Sequence, residues 1–221
     1  SGSALFLGAC GIFSTENLAK INDSLTTGCV VRPELTEGPV FVEDDLNRSD
    51  IRTDAASGIE SVGIPLALKF NVSSLTNNTC IALAGARVDI WQCDVDGIYS
   101  DTDELGMDTV GQKFLRGHQI TDENGVANFT TIYPGWYIGR AVHIHFKIRT
   151  DDGYDFTSQL FFDDEFTDQV YTREPYSSRG EREIRNNEDG IFLENGDRLM
   201  LTVNETETGY TTEFNITLDL S

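Results

Sequence analysis

Histidine is scarce in this sequence, with three copies among 221 residues. A copper–zinc or cupin-like centre needs more histidines than that. A 2-His-1-carboxylate iron(II) site needs an H-x-[DE] motif with a distant histidine, whereas the close pair here has the pattern H-x-H. A CxxC motif is also absent, which disfavours a structural zinc site. Any metal centre in this chain must therefore use other side chains as well.

Basic residues and long apolar runs are also few. Sixteen Lys and Arg stand against 37 Asp and Glu, which gives a formal net charge of −21. Such a charge repels phosphate backbones and argues against a nucleic-acid partner. No apolar run approaches the roughly 18 to 20 residues of a membrane span, and ALFLGACGIF (4–13) is too short. We expect neither nucleic acid nor a membrane as a partner.

The cysteines and asparagines indicate the compartment. An even number of cysteines fits an oxidising environment, and the sequence leaves all three pairings open for Cys10, Cys29, Cys80 and Cys93. Chance predicts roughly two N-x-[ST] triplets for this composition, but the chain has seven. This excess predicts a secreted, extracellular eukaryotic glycoprotein. The candidate glycosylation sites are Asn22, Asn47, Asn71, Asn77, Asn128, Asn204 and Asn215.

The residue pattern predicts an all-β fold after a short N-terminal arm. Residues 1–28 form the predicted arm, with one candidate helix in STENLAKINDSL (14–25). Segments with β-branched and aromatic residues and partial alternation then follow, separated by turn signals. We predict strands over 64–74, 86–93, 125–132, 141–150, 157–162, 198–205 and 211–220. The prediction is a β-sandwich of mostly antiparallel strands over residues 29–221, with long active-site loops.

Two of the three histidines lie in YPGWYIGRAVHIHFK (133–147). Side chains alternate between the faces of a strand, so His143 and His145 share one face while Ile144 and Phe146 face the core. Two such imidazoles can converge on one metal ion, although a pair of polar residues on a solvent face is the plainer interpretation. The remaining histidine, His118, precedes a turn signal and is a weak candidate for a ligand.

Tyrosines are the remaining candidate ligands. Tyr137 follows a Pro-Gly turn, and Tyr99 follows a strand and a glycine turn. Each one alone is more simply explained as a packing residue. Beside an H-x-H pair, however, tyrosinate is a hard anionic oxygen donor that suits iron(III), and coordination can deprotonate it despite an ordinary pKa near 10.

Three blocks resemble one known family over about residues 29–220: RPELTEGPVFV (32–42), LAGARVDIWQCDVDGIYSD (83–101) and FLRGHQITDENGVANFTTIYPGWYIGRAVHIHFKI (114–148). They are similar to the intradiol ring-cleavage dioxygenases, and most of all to their secreted, single-domain eukaryotic branch. The resemblance implies that a catechol-type ortho-diphenol is cleaved by O2 between its two hydroxylated carbons, giving a cis,cis-muconate-type diacid. It also implies a non-haem Fe(III) cofactor.

The resemblance assigns roles residue by residue. It implies four iron ligands: Tyr99, Tyr137, His143 and His145. Tyr99 is expected to stay bound. Tyr137 is expected to leave when substrate arrives and to accept a catechol proton. Other expected site residues are named by their match to the family: Arg140, which stabilises developing charge, and Pro39 and Val40, which line the substrate pocket. Gln159 matches a glutamine that lies just behind the ligands, although an ordinary polar strand residue is the plainer interpretation. The family often has an aromatic residue at the position of Val40.

A second interpretation stays open at this point. The strand pattern with LAGARVDIW also resembles secreted transthyretin-like β-sandwich modules that bind carbohydrate or serve in adhesion. Such a module needs none of the four candidate ligands together. The short segment before Cys29 favours a monomer over a dimer, and the sequence does not identify the physiological catechol.

Overall fold

The computed structural model describes residues 29–220, which fold into two β-sheets that share one hydrophobic core. The five-stranded sheet contains β1 (Pro65–Thr76), β2 (Thr79–Ala82), β5 (Val126–Ile132), β8 (Val203–Thr206) and β9 (Gly209–Leu218). The four-stranded sheet contains β3 (Arg87–Trp91), β4 (Arg116–Ile120), β6 (His143–Arg149) and β7 (Asp155–Phe161). The predicted all-β sandwich is confirmed.

The pairing is mostly antiparallel, as predicted. In the first sheet, β1 pairs with β2 and β5 antiparallel and with β9 parallel, and β8 forms an antiparallel edge on β9. The second sheet has the order β4-β3-β6-β7, and all its pairs are antiparallel. The end of β3, the start of β6 and the end of β7 therefore meet at one edge of the molecule.

Alternating apolar residues join the two sheets. Phe70 of β1 packs on Phe146 of β6 with ring centroids 5.4 Å apart, and Phe214 of β9 lies 5.4 Å from the same ring. Burial of each such side chain stabilises the fold by about 1.5–3 kcal/mol. Because Ile144 and Phe146 point into this core, the histidines of β6 must point to the opposite face of the sheet.

The strand predictions were wrong in three places. Residues 196–199 form a 3₁₀ turn, so the strand predicted over 198–205 begins only at Val203. The short β2 and the polar β4 were not predicted. Strand β4 carries Gly117 and His118 and has a weak strand signal, but the segment before β1 lies along it, where the backbone N–H of His118 donates to the carbonyl of Leu46 at 2.8 Å. Long-range pairing therefore forms a strand that local propensity does not indicate.

Two further segments frame the outer face of the four-stranded sheet. Residues 33–48, here called the covering segment, lie across it. Residues 162–202, here called the return segment, link β7 to β8 through α1 (Asp164–Val170), α2 (Phe192–Asn195) and several 3₁₀ turns. Helix α1 is capped by the carboxylate of Asp163, which accepts from the N–H of Phe166 at 2.8 Å.

A disulfide links Cys29 to Cys80 of β2, and Cys93 is a buried thiol with no disulfide partner among residues 29–220. The predicted arm over residues 1–28, with its candidate helix, Cys10 and Asn22, lies outside the described residues. Within the described part of the chain, no helix is long and apolar enough to cross a membrane.

Candidate metal centre and active site

The H-x-H pair lies at the edge where three strands meet. Strand register places His145 of β6 directly between Trp91 of β3 and Gln159 of β7. The indole of Trp91 stacks on the His145 imidazole, with ring centroids 4.9 Å apart and an interplanar angle of 10°. Both histidines are buried. The solvent-face interpretation of the pair is therefore wrong.

The two imidazoles converge through their Nε2 atoms, which are 3.0 Å apart. The Nδ1–H of His143 donates to the carbonyl of Ala141 at 2.7 Å, which leaves the Nε2 lone pair free to act as a ligand. Burial, reinforced by the positive charge of Arg140, lowers the pKa of His143 to about 3. Burial and the neighbouring His143 lower the pKa of His145 as well. Both rings are therefore neutral at physiological pH, as metal ligands must be.

The loop after β3 brings Tyr99 to the pair. A turn at Asp94, whose carboxylate accepts from the N–H groups of Asp96 and Ile98, reverses the chain. The hydroxyl of Thr109 then donates to the Tyr99 carbonyl at 2.7 Å. The Tyr99 hydroxyl lies 3.1 Å from His143 Nε2. This tyrosine is buried and held at both its backbone and its side chain.

Tyr137 approaches from the turn that precedes β6. Its ring packs edge-on against Tyr99, with centroids 5.3 Å apart. Its hydroxyl is buried, yet it has no hydrogen-bond partner within residues 29–220. A buried hydroxyl without a partner costs about 1–3 kcal/mol, so this atom has room for a partner other than residues 29–220, and a metal ion is one such partner. Burial raises the pKa of both phenols, that of Tyr99 most.

These donors fit a metal ion. Two ligands at right angles, each about 2.1 Å from one ion, lie about 3.0 Å apart, which matches the 3.0 and 3.1 Å separations around His143 Nε2. No cluster of three or more His, Cys, Asp or Glu side chains in the described chain could hold a metal by itself. Any metal held by the two histidines would therefore need the tyrosines as further ligands, and its charge would favour ionisation of phenols whose pKa burial has raised.

Arg140 borders this centre with two of its three guanidinium nitrogens held. Its Nη2 donates to Gln159 Oε1 at 2.6 Å, and its Nε donates to Asp189 Oδ2 at 2.9 Å. Gln159 in turn donates through Nε2 to the carbonyl of Thr36 at 2.8 Å. The structure thus brings together two of the residues named by the resemblance, Arg140 and Gln159, through a contact that the sequence did not predict.

The covering segment lies over the imidazole of His145 at the candidate metal centre. A Cβ atom on Gly38 would lie 3.4 Å from Cε1 of His145, so the backbone passes close over that ring. Val40 is buried in a cluster with Trp91 and Tyr99, whereas its neighbour Pro39 is exposed. Val40 therefore lies against the ligands, and the pocket-lining role of both residues stays a prediction.

Sequence reasoning missed three residues that hold the site. Buried Arg116 of β4 donates from Nε to the hydroxyl of Ser100 at 2.8 Å, beside Tyr99. Asp189 and Arg179 come from the return segment. This segment has many charged residues, and its sequence does not mark these two as site residues rather than their neighbours. Arg116 does lie inside a block that resembles the family, which was the one available clue.

The other sequence candidates lie away from the centre. His118 is buried in β4, which β3 separates from the histidine pair of β6, and its ring lies 3.8 Å from an oxygen of Asp45. Five of the described candidate asparagines are exposed: Asn47, Asn77, Asn128, Asn204 and Asn215. Asn71 is partly buried and donates to the side-chain oxygen of Asn215 at 2.8 Å.

Comparison with known proteins agrees with this geometry. A family model described as "Dioxygenase" matches residues 36–218. An intradiol ring-cleavage dioxygenase from Tetranychus urticae is 33% identical, with a TM-score of 0.77 over 86% of this chain and 95% of that one. The dioxygenase domain of a dioxygenase–carbohydrate-binding protein fusion from Streptomyces sp. SirexAA-E is 28% identical, with a TM-score of 0.63 over 86% and 99% of the two chains.

A curated relative matches a shorter stretch. Chlorocatechol 1,2-dioxygenase from Pseudomonas putida is 29% identical over 117 residues, which are 45% of this chain. The matched part spans 42% of that relative's length, less than half.

Proposed function

Because the chain belongs to the intradiol ring-cleavage dioxygenase family, we propose that it cleaves catechol-type ortho-diphenols with O2 between the two hydroxylated carbons, giving cis,cis-muconate-type diacids. One observation carries the proposal. Two neutral imidazoles and two tyrosines with buried hydroxyls converge at one point, and the Tyr137 hydroxyl has no hydrogen-bond partner among residues 29–220. A transthyretin-like binding or adhesion module has no use for that convergence.

We propose non-haem iron(III) as the cofactor, held by Tyr99, Tyr137, His143 and His145. When bound, iron(III) supplies Lewis acidity and makes the substrate ring reactive toward O2. The two phenolates would offset part of the metal charge in a buried site where water cannot. The neutral state of the imidazoles means that loading the metal requires proton release from the tyrosines only.

The two tyrosines differ in a way that suits different roles. Tyr99 is buried and restrained by Thr109 and His143. Tyr137 is at the start of a turn and is less buried than Tyr99. Among the described residues, its hydroxyl has no hydrogen-bond partner. We propose that Tyr99 would be the permanent tyrosine ligand of the metal, whereas Tyr137 would be the exchangeable one and would act as the base that accepts a catechol proton.

Arg140 has the position to act on the substrate. Its Nη1 makes no hydrogen bond to any described residue, while the other two nitrogens are held. Arginine stays protonated in any pocket. We propose that Nη1 stabilises negative charge that develops on the ring and its oxygens, which is an interaction made chiefly in the transition state. Val40 and Pro39 would face the ring from the covering segment.

We also propose that the protein is a secreted, extracellular glycoprotein that works as a monomer without nucleic-acid or membrane partners. The Cys29–Cys80 disulfide and the five exposed candidate asparagines support secretion. The physiological catechol is left open by these observations.

The test of the reaction is oxygen labelling. Iron(III)-loaded protein is incubated with catechol under oxygen-18 gas, and the ring-opened product is analysed by mass spectrometry. We expect a muconate-type diacid that carries two labelled oxygens. A product with one label, a ring opened beside the hydroxylated carbons, or no product from any ortho-diphenol would overturn the proposal. Tyr137→Phe should lower turnover at least 10-fold, while the matched Tyr154→Phe, remote from the centre, should not.

A further inference from the structure

The structure assigns a positioning role to Asp189: we propose that its carboxylate fixes the guanidinium of Arg140 so that Nη1 faces the reacting substrate. The proposal rests on the proposed function, because it concerns how Arg140 acts in that reaction. Asp189 comes from the return segment, 49 positions after Arg140, and nothing in its local sequence marks it as part of the site.

The contacts of Asp189 are divided between its two oxygens. Oδ2 accepts from Arg140 Nε at 2.9 Å and from the backbone N–H of Ala141 at 2.8 Å. Oδ1 accepts from the N–H of Ile191 at 2.8 Å and from that of Phe192 at 3.3 Å, which holds the start of α2. Oδ2 therefore holds Arg140 and the neighbouring backbone at Ala141, whereas Oδ1 holds α2, so a substitution that changes only Oδ2 leaves the contacts to α2 in place.

Burial makes the contact to Arg140 strong. Asp189 is only 2% exposed, and Arg140 is its ionic partner. Hydrogen bonds between ionised groups are about twice as strong as neutral ones. Burial opposes ionisation of Asp189, but the charge of Arg140 and the backbone N–H groups outweigh it and lower the pKa of the carboxyl. Asp189 is therefore a fixed anion under the guanidinium.

The same carboxylate reaches the metal ligands through one residue. Ala141 donates its N–H to Asp189 and accepts the Nδ1–H of His143 on its carbonyl. Gln159 holds the other side of the guanidinium. Arg140 is thus clamped at Nε and Nη2, and Nη1 is the nitrogen left for substrate. Without Asp189 the guanidinium could rotate about Gln159, and a displacement of about 1 Å can cost on the order of 100-fold in rate.

The first test is Asp189→Asn in the iron(III)-loaded protein. Asparagine keeps one oxygen for the N–H of Ile191 but presents an N–H₂ group, which cannot accept a hydrogen bond, to both Arg140 Nε and the N–H of Ala141. We expect kcat and kcat/KM to fall together by about 10- to 100-fold, because the lost interaction acts in the transition state. KM, iron content and the visible absorption band should be unchanged. The matched control is Asp197→Asn, an exposed aspartate of the same segment.

A double-mutant cycle separates positioning from a structural role. In an Arg140→Met background, Asp189→Asn should change kcat by less than about 3-fold, since its effect passes through Arg140. An equal loss in both backgrounds, or a KM change without a kcat change in the single variant, would overturn the proposal.

A second readout needs no turnover. In metal-free protein with nitrogen-15 arginine, the Arg140 Nε–H should give a resonance protected from exchange, identified by its loss in Arg140→Lys. It should persist in Asp197→Asn and disappear in Asp189→Asn. Its absence from the wild type would contradict the clamp even if the enzyme is active. Its presence in a protein that cleaves no catechol would leave the clamp intact and refute the proposed reaction instead.

Discussion

Gly97 lies in the loop that carries Tyr99, where this loop packs against the loop that carries Tyr137, and its φ of 79° is in the left-handed region that favours glycine. A Cβ atom there would lie 2.3 Å from the carbonyl oxygen of Trp136 and close to the guanidinium of Arg179. The two loops can approach each other only because this residue has no side chain. The geometry of the proposed metal centre therefore depends on Gly97 as well as on its donor atoms.

We predict that Gly97→Ala costs about 3 kcal/mol, from about 1 kcal/mol of left-handed strain and about 2 kcal/mol of overpacking. Gly111→Ala is the matched control, because φ there is 87° and no atom lies within 4 Å of the added Cβ. The control should lower the free energy of unfolding only by the backbone strain, about 1 kcal/mol. Thermal unfolding and the iron absorption band measure the two effects, and equal losses in both variants would show that the loops do not touch.

Asp54 provides a residue-scale pH dependence. Its carboxylate is 5% exposed and accepts from the hydroxyl and N–H of Ser57 and from the N–H groups of Ala56 and Lys113. Burial opposes ionisation, but these donors outweigh it and lower the pKa of Asp54. A carboxyl whose folded pKa is depressed stabilises the protein above its unfolded pKa of about 4, and that stability is lost as the pH falls through the folded value.

We therefore predict that Asp54→Asn lowers the free energy of unfolding at pH 7 by about 1–2 kcal/mol. The difference from wild type should shrink between pH 5 and pH 3. Thermal unfolding across this range measures it, with Asp103→Asn at an exposed position as the control. A difference that does not change with pH would mean that the charge of Asp54 is irrelevant.

At the scale of elements, the return segment restrains both the loop that carries Tyr99 and the loop that carries Tyr137. Arg179 lies over the indole of Trp136, with its guanidinium carbon 3.6 Å from the ring centroid. It also donates to the carbonyls of Trp136 and Val95, one from each loop. The loops therefore owe part of their relative position to a segment far away in sequence.

We predict that Arg179→Gln releases iron(III) to a chelator about 5- to 30-fold faster, since the stacking and the charged hydrogen bonds restrain the loops by about 1–2 kcal/mol. The decay of the visible band measures the rate. Arg173→Gln, which removes an exposed arginine of the same segment, should leave the rate unchanged. Equal rates in both variants would assign the restraint to other contacts.

The elements that the sequence predicted are those whose residues alternate between apolar and polar along the strand. The alternation around His143 and His145 predicted β6 and the face of its ligands, because buried Ile144 and Phe146 leave no other register. Strand β4 was missed because its polar sequence depends on neighbours. Arg179 and Asp189 were not predictable, because their partners are chosen by how an irregular segment packs and not by any spacing.

The whole molecule carries a net charge of −21. The excess carboxylates repel one another in the folded state, which lowers its stability. Salt screens this repulsion over a Debye length of about 8 Å at 0.15 M. We predict that raising NaCl from 0.01 to about 0.3 M raises Tm by about 2–4 °C, equivalent to about 1 kcal/mol. The effect should vanish at about pH 4.5, where carboxylates begin to protonate. A fall in Tm at pH 7 would mean that the surface ion pairs outweigh the repulsion.

The most direct test of the metal centre is the visible absorption spectrum of the concentrated, iron(III)-loaded protein before and after anaerobic addition of catechol. We predict a tyrosinate-to-iron(III) charge-transfer band that shifts on catechol addition, weakens in Tyr137→Phe and is unaffected in Tyr154→Phe. A protein that stays colourless after iron(III) loading, or a band that persists unchanged when Tyr99 and Tyr137 are both replaced by Phe, would contradict the account.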